Sequence, residues 1–107
     1  MGFTARMWVP NRRGRCALHY SNPNINVGNV THISASEATP QNPNSQLLGL
    51  PGQHWQTNFG AASITVQNIS VRQGAVDFYV FVDWATPLNL VVDMTFIDKP
   101  DLILSGT

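Results

Sequence analysis

The side chains able to do chemistry are scarce: three histidines, one cysteine, and six acidic residues balanced by six basic ones, in a chain of 107 residues. His19, His32 and His54 are far apart, and none belongs to an H-x-H or H-E-x-x-H pattern that would set imidazoles at ligand spacing. A metal-dependent enzyme would need all three to converge in space. Solvent-exposed or core-bonded histidines are the plainer reading. Asp77 and Asp83 share a strand face by parity, with Asp93 on the next segment. Paired carboxylates are the equipment of glycoside hydrolysis, but on a strand with no evident cleft they fit a solvated face better. Asp98 and Asp101, with Lys99 between them, are too few for a calcium site. Cys16 and His19 lie three residues apart, so along a strand they point to opposite faces and the thiol does not meet its base. The sequence contains no nucleophile elbow, phosphate-cradling glycine loop or dinucleotide fingerprint. These residues therefore predict no catalytic set, no metal site and no cofactor.

Two binding chemistries have more support. Trp8, Trp55, Trp84, Tyr20 and Tyr79, in a chain rich in Asn and Gln, are the types that stack on sugar rings and hydrogen-bond hydroxyls. Gln53, His54, Trp55, Gln56 and Asn58 form a loop-like patch and are the candidate saccharide contacts, whereas Trp84 is expected to turn inward. The second chemistry is self-association. Arg6, Arg12, Arg13 and Arg15 crowd residues 1–15, a basic stretch that could act as an extended N-terminal arm, while five aspartates lie in the last third.

The elements that must hold these residues are strands. Over residues 75–97, Val76, Phe78, Val80, Val82 and Trp84 alternate with a second set, and after Ala85-Thr86-Pro87 the residues Leu88, Leu90, Val92, Met94 and Phe96 do the same. Period-two alternation predicts extended strands. The matching apolar faces predict one long β-hairpin that pairs Val82 with Leu90 and Val80 with Val92. Its other face would then carry Tyr79, Phe81, Val91 and Ile97, a partly apolar strip open to a loop of residues 34–46 or to another subunit.

Upstream, residues 3–9 alternate weakly until Pro10-Asn11, residues 16–21 make a short strand, and residues 25–33 another. Residues 62–71 change apolar parity between Val66 and Ile69, which predicts a bulge near Gln67-Asn68. Arg72-Gln73-Gly74 is a turn, and residues 101–105 a short edge strand. Several short strands, frequent turn residues and no helical periodicity predict an all-β, antiparallel β-sandwich or jelly roll, with a partly open barrel as the alternative.

A length of 107 residues with 43% hydrophobic content suits a single β domain over residues 1–107. Charged residues make up only 11% and sum to zero, so nucleic acid is not an expected partner. One cysteine excludes an internal disulfide, and neither a membrane span nor a signal-peptide pattern is visible, which predicts a soluble chain of cytoplasmic or virion location. The leading functional expectation is a non-catalytic, homo-oligomeric structural or interaction component of a virion or surface assembly. Its interface would use Tyr79, Phe81, Val91, Ile97 and the four N-terminal arginines. A small carbohydrate-binding, lectin-like module with a glycan partner is the alternative, and a metal-dependent enzyme the third reading.

Overall fold

The computed structural model describes residues 2–40 and 55–106, with side chains described throughout except at Pro40, Trp55 and Gln56. The described residues form seven strands and no helix: β1 (Phe3–Arg12), β2 (Gly14–Ser21), β3 (Val30–Pro40), β4 (Trp55–Thr57), β5 (Ser63–Arg72), β6 (Ala75–Asp83) and β7 (Leu88–Ile97). They assemble into two antiparallel sheets of order β1-β7-β3-β4 and β2-β6-β5. The sheets pack face to face as a β-sandwich and do not close into a barrel. Among the described residues no helix is long and apolar enough to cross a membrane.

The long hairpin expected over residues 75–97 does not form. Both arms are strands, but β6 lies between β2 and β5, whereas β7 lies between β1 and β3 in the opposite sheet. The connection after Asp83 carries the chain across the sandwich. Val76, Phe78, Val80 and Val82 of β6 and Leu90, Val92, Met94 and Phe96 of β7 are each at most 2% exposed and belong to one core. Their apolar faces are matched by stacking, each side chain contributing about 1.5–3 kcal/mol of burial. Both strands are central in their sheets, which explains why they are the most apolar segments of the chain. Trp84, expected to turn inward with them, lies beyond the end of β6 and is 44% exposed.

The basic N-terminal stretch is no detached arm. From Phe3 to Val9 it pairs residue by residue with β7, and Phe3 stacks on Phe96 with ring centroids 4.7 Å apart. Pro10-Asn11 bulges the strand instead of ending it: the register shifts between Val9 and Arg12, with Asn11 at φ 57°. An edge strand tolerates this, since Pro10 owes no ladder hydrogen bond on its open side. Gly14, at φ 70°, turns the chain into β2 and the other sheet.

The bulge expected in β5 is present, with a register shift between Gln67 and Ser70 and Asn68 at φ 53°. The turn before β6 is present too, closed by Gly74 at φ 83°. The expected loop over residues 34–46 is corrected in its first half, because β3 runs unbroken to Pro40; residues 41–46 lie outside the described residues. The expected edge strand at 101–105 is absent, and Leu102, Ile103 and Leu104 are 76%, 89% and 83% exposed. At the end of the sandwich near Gly74, Ile25 plugs the core with no exposure, its carbonyl accepting hydrogen bonds from Gly74 N at 2.8 Å and Gln73 Nε2 at 3.3 Å.

Candidate functional site

Strand alternation sets the outer face of the β2-β6-β5 sheet. From β2 come Arg15, Ala17, His19 and Ser21; from β6, Asp77, Tyr79, Phe81 and Asp83; from β5, Thr65, Gln67 and, past the bulge, Ser70 and Arg72. Cross-strand partners lie side by side on this face, with Arg15 opposite Phe81, Ala17 opposite Tyr79 and His19 opposite Asp77. The bulge decides what β5 contributes. By inserting one residue it turns Val71 into the core and Arg72 out toward Asp77; without it the two would exchange faces.

At one end of the face Asp77 gathers a small polar network. His19 Nδ1 lies 2.6 Å from Asp77 Oδ1, Arg72 Nε donates to Asp77 Oδ2 at 3.0 Å, and His19 Nε2 lies 2.7 Å from Ser21 Oγ. Hydrogen bonding to His19, then to Arg72, holds the Asp77 carboxyl below the usual carboxylate range. Ser21, His19 and Asp77 thus stand in the order of a hydroxyl, an imidazole and an orienting carboxylate. His19 and Asp77 are 48% and 44% exposed, however, and water at such a site screens the fields that make this arrangement catalytic. The network ties the ends of β2, β5 and β6 together beside a shallow depression of about 290 Å³ bounded by Asn68, Ser70 and Tyr79.

This network predicts a specific pH response. Because the folded pKa of Asp77 lies below its ordinary value of 3.8, the stabilisation is complete above that value and is lost as pH falls through the folded one. The thermal midpoint of the wild type should therefore fall more steeply than that of Asp77→Asn between about pH 5 and pH 2. Equal slopes in a melting series would show that the pairing adds nothing to stability.

The other end of the face is aromatic and basic. The Arg15 guanidinium lies 3.9 Å from the centre of the Tyr79 ring, a cation–π contact that fixes both side chains. Phe81 is 37% and Trp84 44% exposed, and Arg13 Nε donates to the Trp84 carbonyl at 3.3 Å. Arg13, Gly14, Phe81, Val82, Asp83 and Trp84 line an open depression of about 530 Å³.

The structure divides the interface residues expected from sequence. Tyr79, Phe81, Arg13 and Arg15 come together here, and Arg12, paired with Leu88, is exposed at the same end of the sandwich. Val91 does not join them: it sits in the other sheet between Trp8 and Ser36, 1% exposed. Ile97, 45% exposed, ends β7 at the far end, and Arg6 makes a forked ion pair with Asp93 at 2.6 and 3.0 Å on the opposite outer face. That bond to Asp93 raises the Arg6 pKa further. The Tyr79/Phe81/Val91/Ile97 strip is thus split between two faces, as follows from β6 and β7 belonging to different sheets. Trp84 was the residue that alternation concealed. By sequence parity it matches Val82, but it falls past the last paired residue and is 44% exposed.

Of the candidate saccharide contacts, Gln53 and His54 lie outside the described residues. Trp55 and Gln56 pair through β4 with Pro40 and Thr39 of β3, and Asn58 is held by Glu37, its backbone N–H to the Glu37 carbonyl at 2.8 Å and its amide to the carboxylate. His19 and His32 lie on the outer faces of different sheets and cannot share a metal. Among the described residues no three His, Cys, Asp or Glu side chains are grouped to hold one. Cys16, partly buried, turns to the opposite face of β2 from His19. No protein-family model, no characterised protein and no solved structure matches the chain.

Proposed function

We propose that this protein is a non-catalytic β-sandwich that self-associates, a structural or interaction unit of a larger assembly, through the Phe81/Trp84 end of its β2-β6-β5 face. One observation carries the reading: two large aromatic side chains, 37% and 44% exposed, stand around a single depression flanked by Arg13 and Arg15. Aromatic residues and arginine are the types enriched at the energetic centre of protein contacts, and the cation–π contact already orders Tyr79 and Arg15 before any partner arrives. Low charge supports the same reading. With 11% charged residues and a net charge of zero, two copies approach without long-range repulsion.

The test is the mass in solution by light scattering across a wide concentration range, for the wild type and Phe81→Asp. The wild type should exceed the mass of one chain and lose that excess on dilution, while Phe81→Asp should remain a folded single chain by circular dichroism. A wild type that stays a single chain at high concentration overturns the proposal.

A further inference from the structure

Single exposed apolar side chains are ordinary on protein surfaces, but a consecutive run of them calls for a partner. Leu102, Ile103 and Leu104 are such a run: each is at least 76% exposed, in a segment with no regular structure. Among the described residues, large apolar side chains also stand uncovered together at the Phe81/Trp84 depression, about 530 Å³ in volume. The two features could satisfy each other, yet they lie at opposite ends of the sandwich. β7 starts four residues after Trp84, beside that depression, and ends at Ile97. The nine steps from Leu88 to Ile97 span about 30 Å. From Ile97 to Leu104, the far end of the run, the chain covers seven residues, at most about 25 Å when fully extended. The apolar run cannot reach the depression of its own chain.

The two ends also differ in charge. The segment 98–106 carries Asp98, Lys99 and Asp101, two anions against one cation. Arg13 and Asp83 line the depression, with Arg15 paired to its Phe81 and Arg12 paired to Leu88 at the same end, three cations against one anion. The sign is opposite at the two ends, which favours their meeting between copies and orients the approach. In addition, β2 is an edge of its sheet and begins at Gly14 in the depression wall, so an extended segment arriving there meets an open strand edge.

We infer that residues 102–104 of one copy fill the Phe81/Trp84 depression of the next, joining the chains head to tail. This inference rests on the self-association reading and names the occupant of that site. A head-to-tail contact is heterologous, so it propagates: copies close into a ring if the rotation permits and otherwise extend into a filament. The donor segment and the acceptor depression are separate patches, and each copy offers one of each.

That separation makes the inference testable by complementation between full-length variants. Phe81→Asp disables the acceptor and Ile103→Asp the donor; both positions are exposed, and circular dichroism should confirm unchanged folding. If Phe81→Asp does not fold, Trp84→Ser replaces it. Each variant alone should weaken association roughly thirtyfold or more, the effect of losing one hot-spot side chain, and run as a single chain in light scattering. An equimolar mixture of the two should form a two-chain complex, because one intact donor then meets one intact acceptor. If Ile103→Asp assembles as the wild type does, the segment is not the occupant, and self-association through the face stands without it. If both variants are single chains and their mixture is too, the contact is not head to tail. A wild type that never associates overturns both this inference and the reading beneath it.

Discussion

Val91→Asp is expected to leave no folded protein at ordinary temperature, whereas Phe81→Asp should keep the fold. Both residues stand at outward-facing positions of apolar strands that follow one another in sequence but lie in opposite sheets, and their side chains are of the same general kind. Their surroundings differ: Val91 is 1% exposed between Trp8 and Ser36, and Phe81 is 37% exposed. Ala38, 5% exposed two residues beyond Ser36 in β3, shows that Val91 belongs to a covered part of its face. A carboxylate at position 91 would lose its hydration and gain no opposite charge from Arg6, two positions from Trp8 along β1 on the same face, which is already committed to Asp93. An unpaired buried charge costs several kcal/mol, comparable with the whole stability of about 5–15 kcal/mol of a small domain. Circular dichroism and a urea titration read this out. A cooperative unfolding transition for Val91→Asp within about 1 kcal/mol of the wild type would contradict the placement of β7.

Phe96→Ala should lower stability by about 3–5 kcal/mol, the cost of deleting a large core side chain and leaving a cavity. Phe96 is 1% exposed, stacks on Phe3 of β1 at 4.7 Å with planes 22° apart, and lies 6.4 Å from the ring of Tyr20 on β2. It therefore touches its own sheet and the facing one, so neither can close the gap alone. For a domain of this size the midpoint of thermal unfolding should drop by more than about 12 °C. Phe59→Ala is the control. Phe59 is fully exposed, and its replacement should change stability by no more than about 0.5 kcal/mol. A Phe96→Ala protein that melts with the Phe59→Ala control would show that the two sheets are not packed through this ring.

The candidate surface was half legible in the sequence. Tyr79 and Phe81 were visible as aromatic breaks in the polar set of β6, and Arg13 and Arg15 as part of a basic cluster. Their proximity was not, because Arg15 reaches Tyr79 and Phe81 only through the β2–β6 pairing, more than sixty residues away along the chain. The same pairing brings His19 to Asp77, so the polar network at the other end of the face was equally hidden. The saccharide patch fell on residues 53–58, where β4 and Glu37 now account for the positions of residues 55–58 that are described.

By itself, the sequence determined that residues 75–83 and 88–97 are strands and which side chains of each turn inward, but not the second half of β3, where residues 34–40 carry no clear apolar alternation. In an extended chain successive side chains point to opposite faces, so a run such as Val76, Phe78, Val80, Val82 declares its core side from local geometry alone. It also determined the β5 bulge, because only an inserted residue reconciles the parity of Val66 with that of Val71. Which strands are neighbours was decided by the tertiary structure. Backbone N–H and C=O groups are alike at every residue, and apolar faces gain burial whether they lie side by side in one sheet or stacked across two. Residues 75–97 satisfied both arrangements equally well. The choice went to stacking because β2 and β5 flank β6 while β1 and β3 flank β7, and that assignment alone placed Val91 under cover and Phe81 and Trp84 in the open.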